Sequence, residues 1–508
     1  MRDGDAAGGI PRATYRLQLN RAFTLREATA LVPYFAALGA SHLYCSPYVR
    51  ARPGSLHGYD VVDHNSINPE IGTREDLEHF VGTLHAHGMG HILDWVPNHV
   101  GIMGADNTWW MDVLENGPAS IYAQFFDIAW ENLDPALCGK VLVPVLGDHY
   151  GSTLERGELV LKFEGETGCF AILYHEHRFP IDPREYPRIL ERALAESTLE
   201  RLADEERADF SSLIGAFGHL PDRGDLSSAA LEERNRDKEV HKRRLVRLCA
   251  RSALLPEAIA AAVHRLNGAA GEPASFDALH ALLEAQPYRL AYWRVAADEV
   301  NYRRFFDIND LAALRMENEA VFDATHRLVL ELIAAGKVDG LRIDHPDGLY
   351  DPAQYFSRLQ ERVRKMRPGQ NGIPGGARPP GNLPLYLVVE KITARFEPLR
   401  EDWAVHGTTG YRFANVVTGV MVDASARERL DRIYRSFTRV GLEWSSVAHE
   451  SKRLVVETSL AAELQVLANE LRAIARSNRA TRDFTQSSLR QALAEIVASF
   501  PVYRTYIA

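Results

Sequence analysis

The chain predicts an α/β fold built on a parallel, barrel-type sheet, carrying a β-rich and then a helical insertion. Three observations predict it. The first is a pair of short apolar runs that each end in an acid, Val338-Asp339-Gly340-Leu341-Arg342-Ile343-Asp344 and Leu385-Tyr386-Leu387-Val388-Val389-Glu390. Runs of this length and composition read as strands buried on both faces. An acid at the C-terminal end places a carboxylate at the mouth of the sheet, where barrel enzymes keep their chemistry. The second is a β-α-β-α-β alternation in the N-terminal part, the pattern of a parallel sheet with crossover helices. The third is the interruption of that alternation between residues 101 and 300, which reads as an insertion into a barrel loop.

The elements follow in order. TYRLQL at 14–19 reads as a strand. Thr24 is an N-cap for a helix from Leu25 to Leu38 that stops at Gly39. The strand His42–Ser46 ends at Pro47, a helix starts at Thr73, and the strand His91–Val96 ends at Pro97. Residues 101–185 mix β-like runs (140–146, 159–163, 169–174) with turns, and 190–290 are helical and charged, broken near Pro221 and at 268–273. A helix from Asn318 to Ala335 stops at Gly336 and feeds the strand ending in Asp344. The stretch Arg367–Pro384 is dense in Gly and Pro and predicts a flexible loop before the strand ending in Glu390. A sixth strand is expected at 404–407. From 424 the chain is helical; Leu460, Leu464, Leu467, Leu471 and Ile474 form one apolar face, expected to pack on the same chain because the pattern lasts only two heptads. The expected segments are 1–100, first part of the barrel; 101–300, the insertion; 301–423, second part with the acids; and 424–508, a helical insertion.

Bulk properties narrow the function. At 508 residues the chain can bury a large core, and 46% hydrophobic with 25% charged residues is an ordinary globular balance. A net charge of -10 disfavours nucleic acid or an anionic membrane as the main partner. Neutral polyols stay compatible, since they need hydrogen bonds and aromatic platforms. Cys45, Cys138, Cys169 and Cys249 form no CxxC pair, which with Asp3 and Asp5 in place of a signal peptide predicts a cytoplasmic chain. Two carboxylates on neighbouring strands are the equipment for breaking or remaking a glycosidic bond. Two histidine groups, His85/His87/His91 and His175/His177 around Glu176 on an expected strand, lack helical metal-site spacing. No metal and no cofactor is expected.

At this point the residues carry a resemblance. Asp94-Trp95-Val96-Pro97-Asn98-His99, Gly340-Leu341-Arg342-Ile343-Asp344, Val389-Glu390 and His57-Gly58-Tyr59-Asp60-Val61-Val62-Asp63 resemble blocks of the alpha-amylase superfamily. PRATYRLQLN, SHLYCSPYVRARPGSLHGYDVVDHNSINPEIGT, YRLAYWRVAADEVNYRRFFDINDLAALRMEN, DHPDGLYDP and VHGTTGY are similar to the maltooligosyl trehalose synthases within it. The resemblance implies a (β/α)8 TIM-type barrel. It implies intramolecular transglycosylation, in which the reducing-end α-1,4 linkage of a maltooligosaccharide becomes α,α-1,1 with retention. By motif position Asp344 would be the nucleophile and Glu390 the general acid/base, with carboxyl groups about 5–5.5 Å apart. Arg342, two residues before Asp344 on the same face, would orient it and hold it ionised. Tyr59 would stack on the sugar and His99, beside Asn98, would hydrogen-bond it. Asp60 belongs to the tyrosine block, and Asp94 would support the strand mouth from inside. His345 and Lys391, each one past an acid, are candidates for the next subsite. Functional coupling to a trehalose-releasing hydrolase is a further implication.

The resemblance also sets a contrast. Relative to the family, the later Thr-His-Asp block with the third catalytic carboxylate and the Pro-Gly-x-Pro-Asp block are not found, so the barrel is expected to be incomplete at the C-terminus. Arg412 stands where the family usually carries an acid. The alternatives are an α-glucan hydrolase of the amylase type and a truncated, inactive glucan-binding form.

Overall fold

The computed structural model describes residues 10–132, 134–367, 373–374, 382–441 and 443–506. Most of the glycine- and proline-rich stretch 367–384, and Asp3 and Asp5, lie outside the described residues. The chain forms two compact units, Met1–Gly101 with Ala313–Ala508, and Ile102–Ala312.

The first unit is organised by six parallel strands: β1 (Thr14–Leu17), β2 (His42–Cys45), β3 (Gly90–Trp95), β4 (Gly340–Ile343), β5 (Tyr386–Val389) and β6 (Gly407–Thr408). They pair in chain order, β1-β2-β3-β4-β5-β6, as a curled parallel sheet. Crossover helices join them: α1 (Leu25–Leu38), α2 (Arg74–Ala86), α3 (Glu319–Ala334) and α4 (Pro352–Met366). Capping explains where the first two begin. Thr24 N–H donates to the Glu27 carboxylate at 2.9 Å while the Thr24 hydroxyl accepts from Arg26 N, and Thr73 and Asp76 repeat the box. Gly39 ends α1 with φ 94, a left-handed cap.

Packing follows the apolar stripes. Leu25, Ala28, Val32 and Phe35 of α1 and Leu77, Phe80, Val81 and Leu84 of α2 are buried, as are Val321, Phe322, Val329 and Ile333 of α3. Each of the larger side chains among them contributes roughly 1.5–3 kcal/mol. The buried His326 of α3 accepts from Trp95 Nε1 at 3.1 Å, lies 2.8 Å from Tyr355 Oη and stacks on Phe322. Burial pushes its pKa down to about 3, so it is a neutral clamp on the end of β3.

Three expectations are corrected. The sixth strand is 407–408 rather than 404–407, because Val405 N donates to Trp403 O and bends the backbone just before it. The apolar face of the helix Ala461–Ser477 is only partly covered. Ala461, Leu464, Ala468 and Ala475 are buried, whereas Leu467 and Ile474 are 47% and 66% exposed, and Leu464 packs with Val456, Leu493 and Ala494 where the helix meets Gln486–Ser499. His175 and Glu176 form the hairpin turn between strands Cys169–Tyr174 and His177–Pro180, with His175 at φ 49, rather than lying on one strand.

The second unit holds a three-stranded antiparallel sheet (Val160–Glu164, Cys169–Tyr174, His177–Pro180), a parallel pair (Val141–Leu146 with Tyr288–Tyr292) and a cluster of helices. Its long charged helix Ser228–Arg251 carries buried Arg234, Lys238 and Lys242 at four-residue spacing on one face. Arg234 pairs with Asp182 at 2.6 Å, Lys238 with Asp112 at 2.6 Å, and Lys242 with Glu115 at 2.6 Å. The two lysine charges, with their hydrogen bonds, outweigh burial and hold Glu115 down at about 2.

Candidate active site

Strand register assembles the site. Arg16 pairs with Tyr44, Asp94 with Arg342, and Arg342 with Val388. Paired residues and residues two apart share a sheet face, which places Arg16, Tyr44, Asp94 and Arg342 on one side across four strands. The Tyr44 hydroxyl donates to Asp94 Oδ2 at 2.6 Å, and the Arg16 guanidinium sits 5.5 Å above the Tyr44 ring and 4.0 Å from Asp94. Tyr59 also donates to Asp94 Oδ2 at 2.6 Å while accepting from Arg16 Nη2 at 3.1 Å. Its turn needs Gly58, whose φ is +79 and where a Cβ would lie 2.5 Å from the Pro47 carbonyl oxygen.

Arg342 is the hub. Its Nη1 donates to Asp94 Oδ1 at 2.8 Å and to Asp344 Oδ1 at 2.6 Å, and its Nη2 is 3.2 Å from Glu390 Oε1. The ends of β4 and β5 stay in register: Asp344 N donates to Trp95 O and Glu390 N to Ile343 O, both at 2.9 Å. The two acids therefore leave neighbouring strands side by side. Glu390 Oε2 accepts from the His345 backbone N–H at 3.0 Å, and Oε1 accepts from the Tyr411 hydroxyl at 2.9 Å. His345 holds φ 41, a left-handed conformation for a non-glycine residue and a form of strain concentrated at functional sites.

One guanidinium faces three carboxylates, so the acids compete for it. Burial, helped by the charges of Asp94 and Glu390, pushes Asp344 up to about 8 against the opposing pull of Arg342. Burial also acts to raise Glu390, but Arg342 and the hydrogen bonds from His345 and Tyr411 win and hold it below the usual range. Asp94 is raised, by burial first, against Arg342 and the two tyrosine hydroxyls. The pair Asp344/Glu390 thus keeps one proton at neutral pH, biased toward Asp344. This differs from the expectation that Arg342 holds Asp344 ionised: its single charge is divided among three acids.

The other expected residues fall around this cluster. Asn98 and His99 are buried beyond the end of β3, and a Cβ on Gly348 would collide with the Asn98 side-chain oxygen at 2.4 Å. Asp60 accepts from Ser55 and lies 3.8 Å from His57, which places it in the support of the Tyr59 loop. The Lys391 ammonium is buried, 3.0 Å from Glu397 and 3.3 Å from Asp347, with Tyr503 and Tyr506 rings over it. Sequence reasoning did not single out Arg16, Tyr44 and Tyr411. All three sit in quoted blocks, and the signal for the first two is their rung position, legible only once the register of β1, β2 and β3 is known.

The alpha amylase catalytic-domain family matches residues 24–149, which include Tyr59, Asp94, Asn98 and His99. A Mycobacterium tuberculosis protein named as a candidate maltooligosyl trehalose synthase is 30% identical over 498 residues, 97% of this chain and 48% of its own length. The structure of maltooligosyltrehalose synthase from Arthrobacter ramosus superposes with a TM-score of 0.68 at 32% identity, over 98% of this chain and 48% of that one. The chain is thus similar to maltooligosyl trehalose synthases over nearly all of its own length, and to the alpha amylase catalytic domain over residues 24–149. It spans about half the length of these relatives. The intracellular maltogenic amylase of Bacillus subtilis is similar over a shorter stretch, 38% identical over 95 residues, 19% of this chain and 15% of that protein. The synthase resemblance therefore runs through both compact units, whereas the amylase matches are partial. Among the described residues no helix is long and apolar enough to cross a membrane.

Proposed function

We propose that this chain carries the glycosyl-transferring acids of a maltooligosyl trehalose synthase and acts on the reducing end of α-1,4-glucans. The observation that carries the reading is the convergence of Asp94, Asp344 and Glu390 on Arg342, at the C-terminal ends of three adjacent parallel strands. The six sequential strands would be the first six of a (β/α)8 barrel.

In this reading Asp344 attacks the anomeric carbon of the penultimate glucose while Glu390 protonates the leaving O4 of the terminal one. A glycosyl ester forms on Asp344 as the C1–O4 bond breaks. The released glucose then turns, and its anomeric hydroxyl attacks C1 of the glycosyl ester; the bond from C1 to Asp344 breaks, Asp344 leaves as a carboxylate, and Glu390 takes back the proton. The net change is α-1,4 to α,α-1,1 with retention and no water consumed. The first step needs the dyad's single proton on Glu390, and the second step returns it there. A sugar covering the partly exposed Glu390 supplies the bias, since removing water raises a carboxyl pKa and the glycosidic oxygen accepts its hydrogen bond. Arg342 holds Asp344 and Glu390 in register. Tyr59, fixed by Asp94, offers an aromatic face to the sugar; Asn98, His99 and His345 hydrogen-bond it; and Asp60, Asp94 and Lys391 hold the surrounding loops. A trehalose-releasing hydrolase would consume the product.

The test is incubation with maltopentaose, following reducing ends and glucose separately. The reading expects reducing ends to disappear without an equal release of glucose. Glucose or maltose appearing with a rise in reducing ends would select the hydrolase. Binding without either change would select a non-catalytic glucan binder.

A further inference from the structure

We propose that the unit Ile102–Ala312 carries its own binding site for a glucosyl residue of an α-1,4-glucan, built from residues other than those of the Asp344/Glu390 cluster. The site is a cavity of about 250 Å³ between strand Tyr288–Tyr292, helix Asp277–Glu284 and the start of helix Tyr150–Glu155. This inference rests on the glucan reading above for the identity of its ligand, while its geometry belongs to this unit alone.

Four features select a neutral sugar. The first is size: the cavity is small for an organic ligand site but of the scale of one pyranose ring. The second is charge. Glu299 lies 3.7 Å from Arg289, and Glu284 lies 3.8 Å from Lys140, so the carboxylates of the lining already face cations. With Arg289 in the lining and Lys140 just outside it, the two carboxylates are offset and an anion or a cation gains little, whereas a polyol can bridge such pairs through hydroxyl donors and acceptors.

The third feature is the aromatic wall. Strand Tyr288–Tyr292 slips register against Val141–Leu146 between Ala291 and Tyr292, a bulge of the kind that re-aims a side chain next to a site. The Tyr292 ring stands 5.2 Å from His149, and the adjacent Trp293 is 51% exposed with the Arg294 guanidinium 5.3 Å over it. Rings at the rim of a small polar cavity suit the apolar face of a pyranose. The fourth feature is an unsatisfied hydroxyl. Tyr288 lines the cavity, is 1% exposed, and among the described residues its hydroxyl has no hydrogen-bond partner. Buried polar groups are nearly always paired; this hydroxyl is sealed from water, and a small shift of the ring on ligand entry would open it to a sugar hydroxyl. Tyr150 and His280, hydrogen-bonded at 2.9 Å, present a fixed polar edge beside it.

The experiment is a calorimetric titration of maltotriose into the full chain and into Tyr292→Ala, Tyr288→Phe and Tyr59→Ala variants. The expected result is two classes of site in the parent chain. Tyr292→Ala should remove one class. Tyr288→Phe, which keeps the shape and deletes only the hydroxyl, should weaken that same class about five- to tenfold. Tyr59→Ala should remove the other class. Parent-like isotherms for both Tyr292→Ala and Tyr288→Phe would overturn the inference and leave the proposed function standing. Binding abolished by Tyr292→Ala but untouched by Tyr59→Ala would support the inference and count against the proposed function. No binding of maltotriose to the parent chain would overturn both.

Discussion

Replacing Asp344 with Asn should change how the stability of the chain depends on pH. Asp344 is buried, with its side chain 7% exposed, and its folded pKa is raised from an ordinary 3.8 to about 8. A carboxyl raised on folding binds its proton more tightly in the native state, so stability falls as pH rises from the unfolded pKa toward the folded one. Between pH 5 and pH 8 the unfolded carboxyl is ionised while the folded one still holds most of its proton. Each pH unit in that window therefore costs up to 1.36 kcal/mol, and the interval costs about 2–4 kcal/mol for this group. Asn has nearly the same shape, and its side-chain oxygen can still accept from Arg342, but it does not titrate. Asp344→Asn should therefore gain about 2–4 kcal/mol on the parent chain between pH 5 and pH 8. Urea unfolding midpoints of both chains at the two pH values measure this directly. Parallel pH dependence, with a constant gap, would refute the reasoning that one guanidinium is shared among three buried acids.

Four further outcomes follow from the same structure. Arg342→Gln strands Asp94, Asp344 and Glu390 without their shared cation and should cost roughly 3–5 kcal/mol at pH 8. The cost should be smaller at pH 5, where the raised Asp344 takes up its proton, as urea midpoints would report. With maltopentaose as substrate, kcat/KM should follow a bell with its acid limb below about pH 4.5 and its alkaline limb near pH 8, reflecting the lowered Glu390 and the raised Asp344; a sigmoid without an alkaline limb would contradict the one-proton dyad. Glu115 is depressed from 4.5 to about 2, so it contributes stability that is present above pH 4.5 and lost as pH falls through 2, about 3 kcal/mol at most. Glu115→Gln should abolish that part of the acid transition seen by circular dichroism. Thr24→Ala removes the cap acceptor of α1 and should cost about 1 kcal/mol, measured as a shift in the urea midpoint.

The strands of the first unit were legible because buried parallel strands are continuous apolar runs with hard stops. Pro47 and Pro97 closed two of them, and Gly39 and Gly336 closed the helices that fed others. Asp344 and Glu390 were legible for the same reason, since an acid directly after an apolar run has few other places to lie than the sheet mouth. What periodicity leaves out is register between distant segments. Tyr44 and Arg16 joined the site only because β1, β2 and β3 align them with Asp94, a relation that spans tens of residues of chain. The proton balance was hidden as well. Arg342 beside Asp344 reads as a simple pair until Asp94 is seen opposite and Glu390 beside it, and then one cation has too many partners. The charged helix Ser228–Arg251 hid its buried face similarly, because Arg234, Lys238 and Lys242 look solvent-facing until Asp182, Asp112 and Glu115 arrive from far along the chain.

The most direct measurement is covalent trapping. A 5-fluoro-α-maltosyl fluoride, which forms the glycosyl ester and slows its turnover, would be incubated with the protein and the modified peptide located by mass spectrometry. If Asp344 is the nucleophile at the shared Arg342, the added mass appears on Asp344, and Glu390→Gln slows labelling only where the leaving group needs a proton. A label on Asp94 or Glu390, or labelling that persists in Asp344→Asn, would contradict the assignment.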